Sequence, residues 1–406
     1  MIEFDNVLFI TFDYHENNKP VKSVAVATME SYLQFKIKDI TIDTFSFNMT
    51  EDDTILFEQM MILKNKLSIQ YDYICVSMYA WNMRYINNLI NLIDSLNSRA
   101  VIVAGGYEVS NKRIDELINT YSRINHFIVG YAEESLYQII SKNKTSKVLS
   151  MEVDNNEIQA IYSNGKIKVD SNSSVRLETK RGCPYRCNYC AYKNNDHTKM
   201  TTHSINKIKE ELLWLNKKKV YKVNILDAIF TTFNYREILD FLVKIQFKPI
   251  VSFQMKFEIL YSILNKDEEI LSMFSKLNVE LEFGLQSNST IALKNVERKN
   301  NMFKTAYVIN QLNSKNINYT ISVIRGLPGE TTQTYEELLR YLKTCGCKNY
   351  IAYPLTLLNN TKLYDNTNLL KIKSILQNGM NYVIATYSYS YIDYLKMIEY
   401  ETLYKA

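Results

Sequence analysis

Lys180-Arg-Gly-Cys183-Pro-Tyr-Arg-Cys187-Asn-Tyr-Cys190 is the stretch on which the reading of this chain turns. It spaces three cysteines as C-x3-C-x2-C. A β-branched run, Val175–Thr179, precedes it, and a helix-period segment, Ser204–Leu215, follows. A strand, a ligand-bearing loop and a helix make the first unit of a β/α repeat. Thiolates are soft anionic ligands suited to iron–sulfur clusters. Three of them would hold three irons of a [4Fe–4S] cube and leave the fourth iron open to an exogenous ligand. An electron delivered through such a cluster can cleave a bound sulfonium cofactor and start radical chemistry. The competing reading is a structural zinc site, which wants four protein ligands. His197 or His203 would then complete a Cys3His set.

Downstream the alternation continues. Strand candidates fall at Lys222–Leu226, Ile250–Gln254, Val279–Phe283, Tyr319–Ile324 and Tyr350–Pro354. Helical stretches separate them at Tyr235–Ile245, Asp267–Ser275, Asn301–Leu312 and Thr334–Leu342. With the first strand this makes six β/α repeats over residues 173–365, a partial TIM-like barrel rather than the closed eight-stranded form. The chain has only ten glycines, so each is informative. Gly182, Gly284, Gly326 and Gly329 fall just after predicted strands, on the rim that carries active sites in barrels. Residues 366–406 read as a helical tail.

Upstream, residues 1–141 alternate in the same way. Strand candidates are Val7–Phe12, Ile40–Phe47, Tyr73–Met78, Val101–Ala104 and His126–Val129. Helix-period segments lie at Lys22–Phe35, Asp52–Lys66, Met83–Leu96, Arg113–Asn119 and Glu134–Ser141. The pattern predicts a doubly wound parallel sheet in the flavodoxin-like order 2-1-3-4-5. Gly105 and Gly106 follow the fourth strand and Gly130 the fifth, at carboxyl ends where open α/β sheets bind ligands. Residues 142–172 read as a linker with a hairpin at Tyr162–Lys166, where Asn164-Gly165 favours a primed turn.

Cys183-x3-Cys187-x-Tyr189-Cys190 resembles the signature of the radical S-adenosylmethionine (SAM) superfamily, including the aromatic before the last cysteine. The resemblance covers roughly residues 174–365. It implies a reductive cleavage of SAM at a [4Fe–4S] cluster, a 5′-deoxyadenosyl radical and hydrogen abstraction from an unactivated carbon. Asp227 with Phe230 resembles the stretch that meets the SAM amino group. Glu282-Phe-Gly-Leu-Gln286-Ser287 resembles the segment facing ribose and methionine, and Arg298 stands where the SAM carboxylate is often paired. Ile324-Arg-Gly326-Leu-Pro-Gly-Glu-Thr331 is similar to the adenine motif, and Pro354-Leu355-Thr-Leu-Leu358 to the sixth-strand ending. The resemblance thus assigns SAM to Tyr189, Asp227, Gln254, Glu282, Gln286, Ser287, Arg298, Gly326 and Leu355. Two departures stand out. Ile225-Leu-Asp-Ala-Ile229 replaces the usual Gly-Gly-Glu, and Thr361-Lys362 replaces a common Thr-Pro.

Tyr79-Ala-Trp81-Asn82, Gly105-Gly106-Tyr-Glu108-Val-Ser110 and Gly130-Tyr-Ala-Glu133-Glu134 resemble the cobalamin-binding domain that precedes the barrel in one large subgroup of that superfamily. The resemblance assigns cobalamin to Tyr79, Trp81, Gly105, Gly106, Glu108, Ser110, Gly130 and Glu133. Asp13-x-His15-x-x-Asn18 is similar to a motif that supplies an axial histidine, with Asn18 in place of a glycine; a surface histidine is the plainer reading. With cobalamin, the implied outcome is C-methylation of a peptide or natural-product intermediate. Without it, the outcome is dehydration, epimerisation, rearrangement or peptide crosslinking. A third reading is a zinc-stabilised binding protein without catalysis. The enzyme readings need a flavodoxin- or ferredoxin-like electron donor.

The remaining cysteines do not extend the motif. Cys75 falls inside a core strand, and Cys345 and Cys347 precede the sixth barrel strand, on the rim opposite the active site. The 406-residue chain is 46% hydrophobic with a net charge of +5, a balance that argues against nucleic-acid binding. It shows no signal peptide and no apolar run long enough to span a membrane. Six cysteines do not make a secreted disulfide framework, so the sequence is read as cytoplasmic.

Overall fold

A computed structural model of the chain describes residues 5–14, 22–49, 53–193, 200–230, 234–267 and 269–404. His15, Asn18 and His197 lie outside the described residues. The chain divides into two compact units, the first running to Lys168 and the second beginning at Val169.

The first unit alternates β1 (Asp5–Asp13), α1 (Val24–Lys36), β2 (Ile40–Asn48), α2 (Asp53–Lys66), β3 (Tyr73–Ser77), α3 (Met83–Leu96), β4 (Val101–Gly105), α4 (Ile114–Thr120), β5 (His126–Ile128), α5 (Glu133–Ile140) and β6 (Val148–Leu149). All pairings are parallel, in the order β2-β1-β3-β4-β5-β6. Strand side chains alternate between faces, and both faces of β1 are apolar. Leu8, Ile10 and Phe12 join Leu63, Ile86, Leu89 and Leu117 from α2, α3 and α4. Val7 and Phe9 join Val26, Leu33, Leu136 and Ile139 from α1 and α5. Burial on both faces is what makes this a doubly wound sheet.

The expected order 2-1-3-4-5 is present, with β6 added at the edge. That sixth strand comes from the segment expected to be linker. The segment also buries Ile158, Ala160, Ile161, Tyr162 and Ile167 and is tied to α1, where Lys36 Nζ donates to Glu157 Oε1 at 2.7 Å. The expected hairpin is a turn without flanking strands: Gly165 N donates to Tyr162 O at 3.0 Å, with Gly165 at φ +70°. Across it Lys166 N donates to Ile161 O at 2.8 Å, and the residues around it also anchor on α1, where Ser31 Oγ donates to Ala160 O at 3.3 Å.

The second unit holds β7 (Ser174–Leu177), β8 (Lys180–Arg181), β9 (Thr201–Thr202), α6 (Ile205–Lys218), β10 (Lys222–Ile225), α7 (Tyr235–Lys244), β11 (Ile250–Met255), α8 (Phe257–Leu264), α9 (Ile270–Lys276), β12 (Val279–Gln286), α10 (Thr290–Asn295), α11 (Met302–Ser314), β13 (Asn318–Arg325), α12 (Thr332–Thr344), β14 (Tyr350–Pro354), α13 (Lys362–Asp365), β15 (Lys373–Gln377), β16 (Met380–Ala385) and α14 (Tyr391–Leu403). Six parallel strands run β14-β13-β12-β11-β10-β7, an open partial barrel. On β12, Val279, Leu281, Phe283 and Leu285 are buried. The alternate residues, Glu280, Glu282, Gly284 and Gln286, are half-buried on the opposite face.

Two details differ from expectation. Gly284 lies within β12 rather than after it, because the strand continues through a bulge to Gln286, which sits at φ +72°. The tail beyond residue 365 is not all helix. Asn378-Gly379, both at positive φ, closes an antiparallel hairpin between β15 and β16, as a two-residue Asn-Gly loop favours. This tail belongs to the domain. Leu370, Ile372 and Val383 pack with Leu327, Leu355 and Leu363, and Tyr389 Oη donates to Gly326 O at 2.7 Å.

Candidate active site

The cysteine loop is anchored before it is functional. Asp227, buried at the end of β10, accepts Thr179 N at 2.8 Å and Lys180 N at 2.9 Å through Oδ1, and Thr179 Oγ1 at Oδ2. Burial lifts its carboxyl to about 6 even though those hydrogen bonds favour the ionised form. The β8–β9 ladder closes the loop base. Glu178 reinforces it, accepting Arg181 Nε at 2.8 Å and facing His203 Nε2 at 3.0 Å. Burial alone would raise Glu178, but Arg181 and His203 hold it down to about 2. Gly182, at φ +94°, donates its N–H to Tyr192 Oη at 2.9 Å. Farther along, Asn188 N donates to Val296 O at 3.2 Å and Asn188 O accepts Leu363 N at 3.0 Å.

The thiols of Cys183, Cys187 and Cys190 all open onto one cavity of about 570 Å³. Burial pushes the Cys183 and Cys190 thiols up, so a cationic centre is needed to make thiolates of them. Around the cavity stand Gln254, Lys256, Glu282, Gln286 and Arg298, with an apolar wall of Ile229, Ile324, Leu355 and Leu358 and with Tyr353 on its lining. Apart from Arg298, which follows α10, these groups sit toward or just beyond the carboxyl ends of β10 to β14, the reactive rim of a β/α barrel.

Of the nine residues assigned to SAM, six line this cavity: Tyr189, Gln254, Glu282, Gln286, Arg298 and Leu355. Asp227, Ser287 and Gly326 do not line it. Asp227 spends its carboxylate on the loop base. Ser287 donates to Glu330 Oε1 at 2.7 Å. Gly326, at φ +91°, has Tyr389 Oη where a Cβ would stand, at 2.8 Å. Arg298 is already engaged, with Nη2 on Gly284 O, Nε on Asn300 Oδ1 at 3.2 Å and Nη1 on Cys187 Sγ at 3.6 Å. Lys256 is the charged lining residue that sequence reading missed. It lies one residue past β11, its ammonium is 4.4 Å from the Tyr185 ring centroid, and it donates to Lys299 O at 2.9 Å. Its position just past a strand end was the available signal.

Among the described residues no group of three His, Cys, Asp or Glu side chains is placed to hold a single metal ion. His203 faces Glu178 rather than completing a Cys3His set. Cys75 is buried within β3. Cys345 caps α12, and Cys347 donates to Asn349 O at 3.4 Å with its thiol pushed by burial to about 11. No described helix is long and apolar enough to cross a membrane.

The residues singled out in the first unit gather at the carboxyl end of its sheet. Tyr79 and Trp81, after β3, stack with centroids 4.6 Å apart. Asn82 fixes that turn, accepting Tyr79 N at 2.8 Å and donating to Ser77 O at 2.8 Å. Gly105 ends β4 and Gly130, at φ +89°, follows β5. Glu108 is buried and paired with Arg113, and Glu133 opens α5 as a buried acid. Ser77 Oγ and Ser110 Oγ are buried without a hydrogen-bond partner among the described residues. Buried hydroxyls left unsatisfied call for a ligand or water.

Gly106 is fixed by sterics. It sits at φ +117°, and a Cβ there would stand 2.5 Å from Met78 O. Gly106→Ala should therefore cost about 3 kcal/mol or more, read as a lowered thermal midpoint of the first unit. Gly105→Ala is the control, since its Cβ would meet Ile128 O at an ordinary 3.8 Å.

A partial β/α barrel with a three-thiol loop after its first strand defines the class. Residues 177–342 match the model of the radical SAM superfamily. The second unit carries a radical SAM domain, an enzyme domain, which sets aside the zinc-protein reading. Among solved structures the chain is similar to TsrM of Kitasatospora setae, a radical S-adenosylmethionine methyltransferase with cobalamin and a [4Fe–4S] cluster bound. That match has 14% identity and a TM-score of 0.71, covering 92% of this chain and 77% of that one. It is also similar to OxsB, a cobalamin-dependent S-adenosylmethionine radical enzyme with aqua-cobalamin and S-adenosylmethionine bound. There identity is 16% and the TM-score 0.72, and this chain covers 66% of that chain's length while 98% of it is matched. At such identities the likeness is one of fold. No curated protein matches the chain.

Proposed function

We propose that this protein is a cobalamin-dependent radical SAM enzyme that methylates an unactivated carbon of a small molecule or peptide. The observation that carries the reading is the single cavity on which three cysteine thiols, Gln254, Glu282 and Gln286 converge, in a chain whose first unit is a doubly wound domain. The fold likeness to two cobalamin-bound enzymes supports it.

Cys183, Cys187 and Cys190 would hold three corners of a [4Fe–4S] cluster. Ser110, Tyr79 and Trp81 would form part of the cobalamin seat, the Ser110 hydroxyl gaining a partner there. When bound, the cluster supplies the electron that splits SAM, and cobalamin supplies a methyl carrier. The chain's own part is to bind, orient and exclude water. Gln254, Glu282 and Gln286 offer hydrogen-bonding groups to the methionine and ribose. Ile229, Ile324 and Leu355 form an apolar wall that keeps water from reactive species. The reductant would be a small flavodoxin- or ferredoxin-like protein.

The test is anaerobic reconstitution with iron, sulfide and hydroxocobalamin, then desalting and metal counts. About four irons and one cobalt per chain are expected. The same iron without cobalt would overturn the cobalamin-dependent reading and leave a radical SAM enzyme of the cobalamin-free kind.

A further inference from the structure

Arg298 makes three hydrogen bonds within the protein. Nη2 meets Gly284 O on β12, Nε meets Asn300 Oδ1, and Nη1 points at Cys187 Sγ from 3.6 Å. Asn300 is pinned in turn, donating to Leu285 O at 2.6 Å and Ser287 O at 2.8 Å. The guanidinium is thus held by the end of β12 and aimed at the middle cysteine of the loop. A fork fixed this way is poorly placed to take a carboxylate through two parallel N–H groups, which is how arginine binds carboxylates most strongly.

We propose that Arg298 is a hydrogen-bond donor to the Cys187 sulfur that raises the reduction potential of the cluster the loop holds, and is not the receptor of the SAM carboxylate. Charge-assisted donation withdraws electron density from a ligating sulfur. It stabilises the more negative, reduced cluster over the oxidised one, since hydrogen bonds to sulfur and local charge set such potentials. Arginine keeps its charge at any working pH, so the effect is constant. Arg298 acts through Cys187 and is a positioning residue. The inference rests on the three thiols being cluster ligands.

The experiment uses the full chain, reconstituted without SAM, as wild type, Arg298→Leu and Arg298→Lys. Iron is counted, and the cluster is titrated by dithionite with electron paramagnetic resonance as the readout. Affinity for SAM is measured separately. Arg298→Leu should keep about four irons and shift the reduction equilibrium about tenfold toward the oxidised cluster, about 59 mV lower for a one-electron couple. Arg298→Lys, which keeps the charge without the fork, should fall between. An unmoved midpoint with weakened SAM binding would overturn the proposal and restore the carboxylate role. Loss of iron from both variants would also overturn it, by showing that Arg298 holds the loop together. A wild type that takes up no iron would instead sink the ligand reading itself.

Discussion

Cys183→Ala, Cys187→Ala and Cys190→Ala should each abolish SAM cleavage, with activity falling at least a hundredfold, while the chain stays folded. Each thiol opens onto the same cavity, and the backbone around the three is held by hydrogen bonds to the rest of the domain. Asp227 anchors the incoming strand end, Gly182 is held by Tyr192, and Asn188 is tied to Val296 and Leu363. Removing one thiol therefore leaves the loop standing and takes away one of three corner ligands, which a cubane with one open iron cannot spare. Cys345→Ala and Cys347→Ala should keep full iron content, because Cys345 ends α12 and Cys347 is spent on Asn349 O. Iron and sulfide analysis with the visible absorbance of each variant checks the pair of expectations. Retained SAM cleavage in any of the first three would refute the ligand assignment, as would iron loss in either of the last two.

Much of this arrangement was legible in the residues. Apolar runs on both faces of β1, β3 and β4 announce a buried parallel sheet whatever its ligands, and the C-x3-C-x2-C loop marks its own chemistry by spacing. The sequence was silent where roles depend on direction. Asp227 is an acid at the right strand end, yet it turns toward Thr179 and Lys180 because two backbone N–H groups there need an acceptor. Lys256 went unseen because a lone lysine past a strand has no pattern to distinguish it. The hairpin at Asn164-Gly165 and the one at Asn378-Gly379 carry the same turn dipeptide. Only the second is flanked by paired strands, Ser374–Gln377 with Met380–Val383. The first is flanked by Ile161, Tyr162 and Ile167, which are buried in the first unit. Local turn chemistry is the same in both, and packing decides.

Glu330→Gln should remove most of a pH-dependent weakness of the second unit. Glu330 is fully buried, and Ser287 Oγ donates to its Oε1 at 2.7 Å, while Oε2 has no partner among the described residues. Burial raises its carboxyl to about 8, against an ordinary value of 4.5, with the Ser287 bond pulling slightly the other way. Below pH 4.5 the group is protonated in folded and unfolded chains alike and costs nothing through ionisation. Between 4.5 and about 8 the unfolded chain has lost the proton and the folded chain keeps it. The folded state then binds more protons, so stability falls as pH rises. Above about 8 both forms are ionised and the penalty is constant, on the order of 5 kcal/mol. Asp227 adds a smaller loss of the same sign between its ordinary 3.8 and about 6, so only the difference between wild type and variant isolates Glu330. Glutamine keeps an acceptor for Ser287 and cannot ionise. Urea unfolding of the apo-chain at pH 5, 6.5 and 8, followed by tryptophan fluorescence, should show the two proteins close at pH 5. By pH 8 the variant should lead by several kcal/mol. Parallel stability curves across that range would mean that Glu330 ionises at an ordinary pH, and that the turn carrying it is open to water.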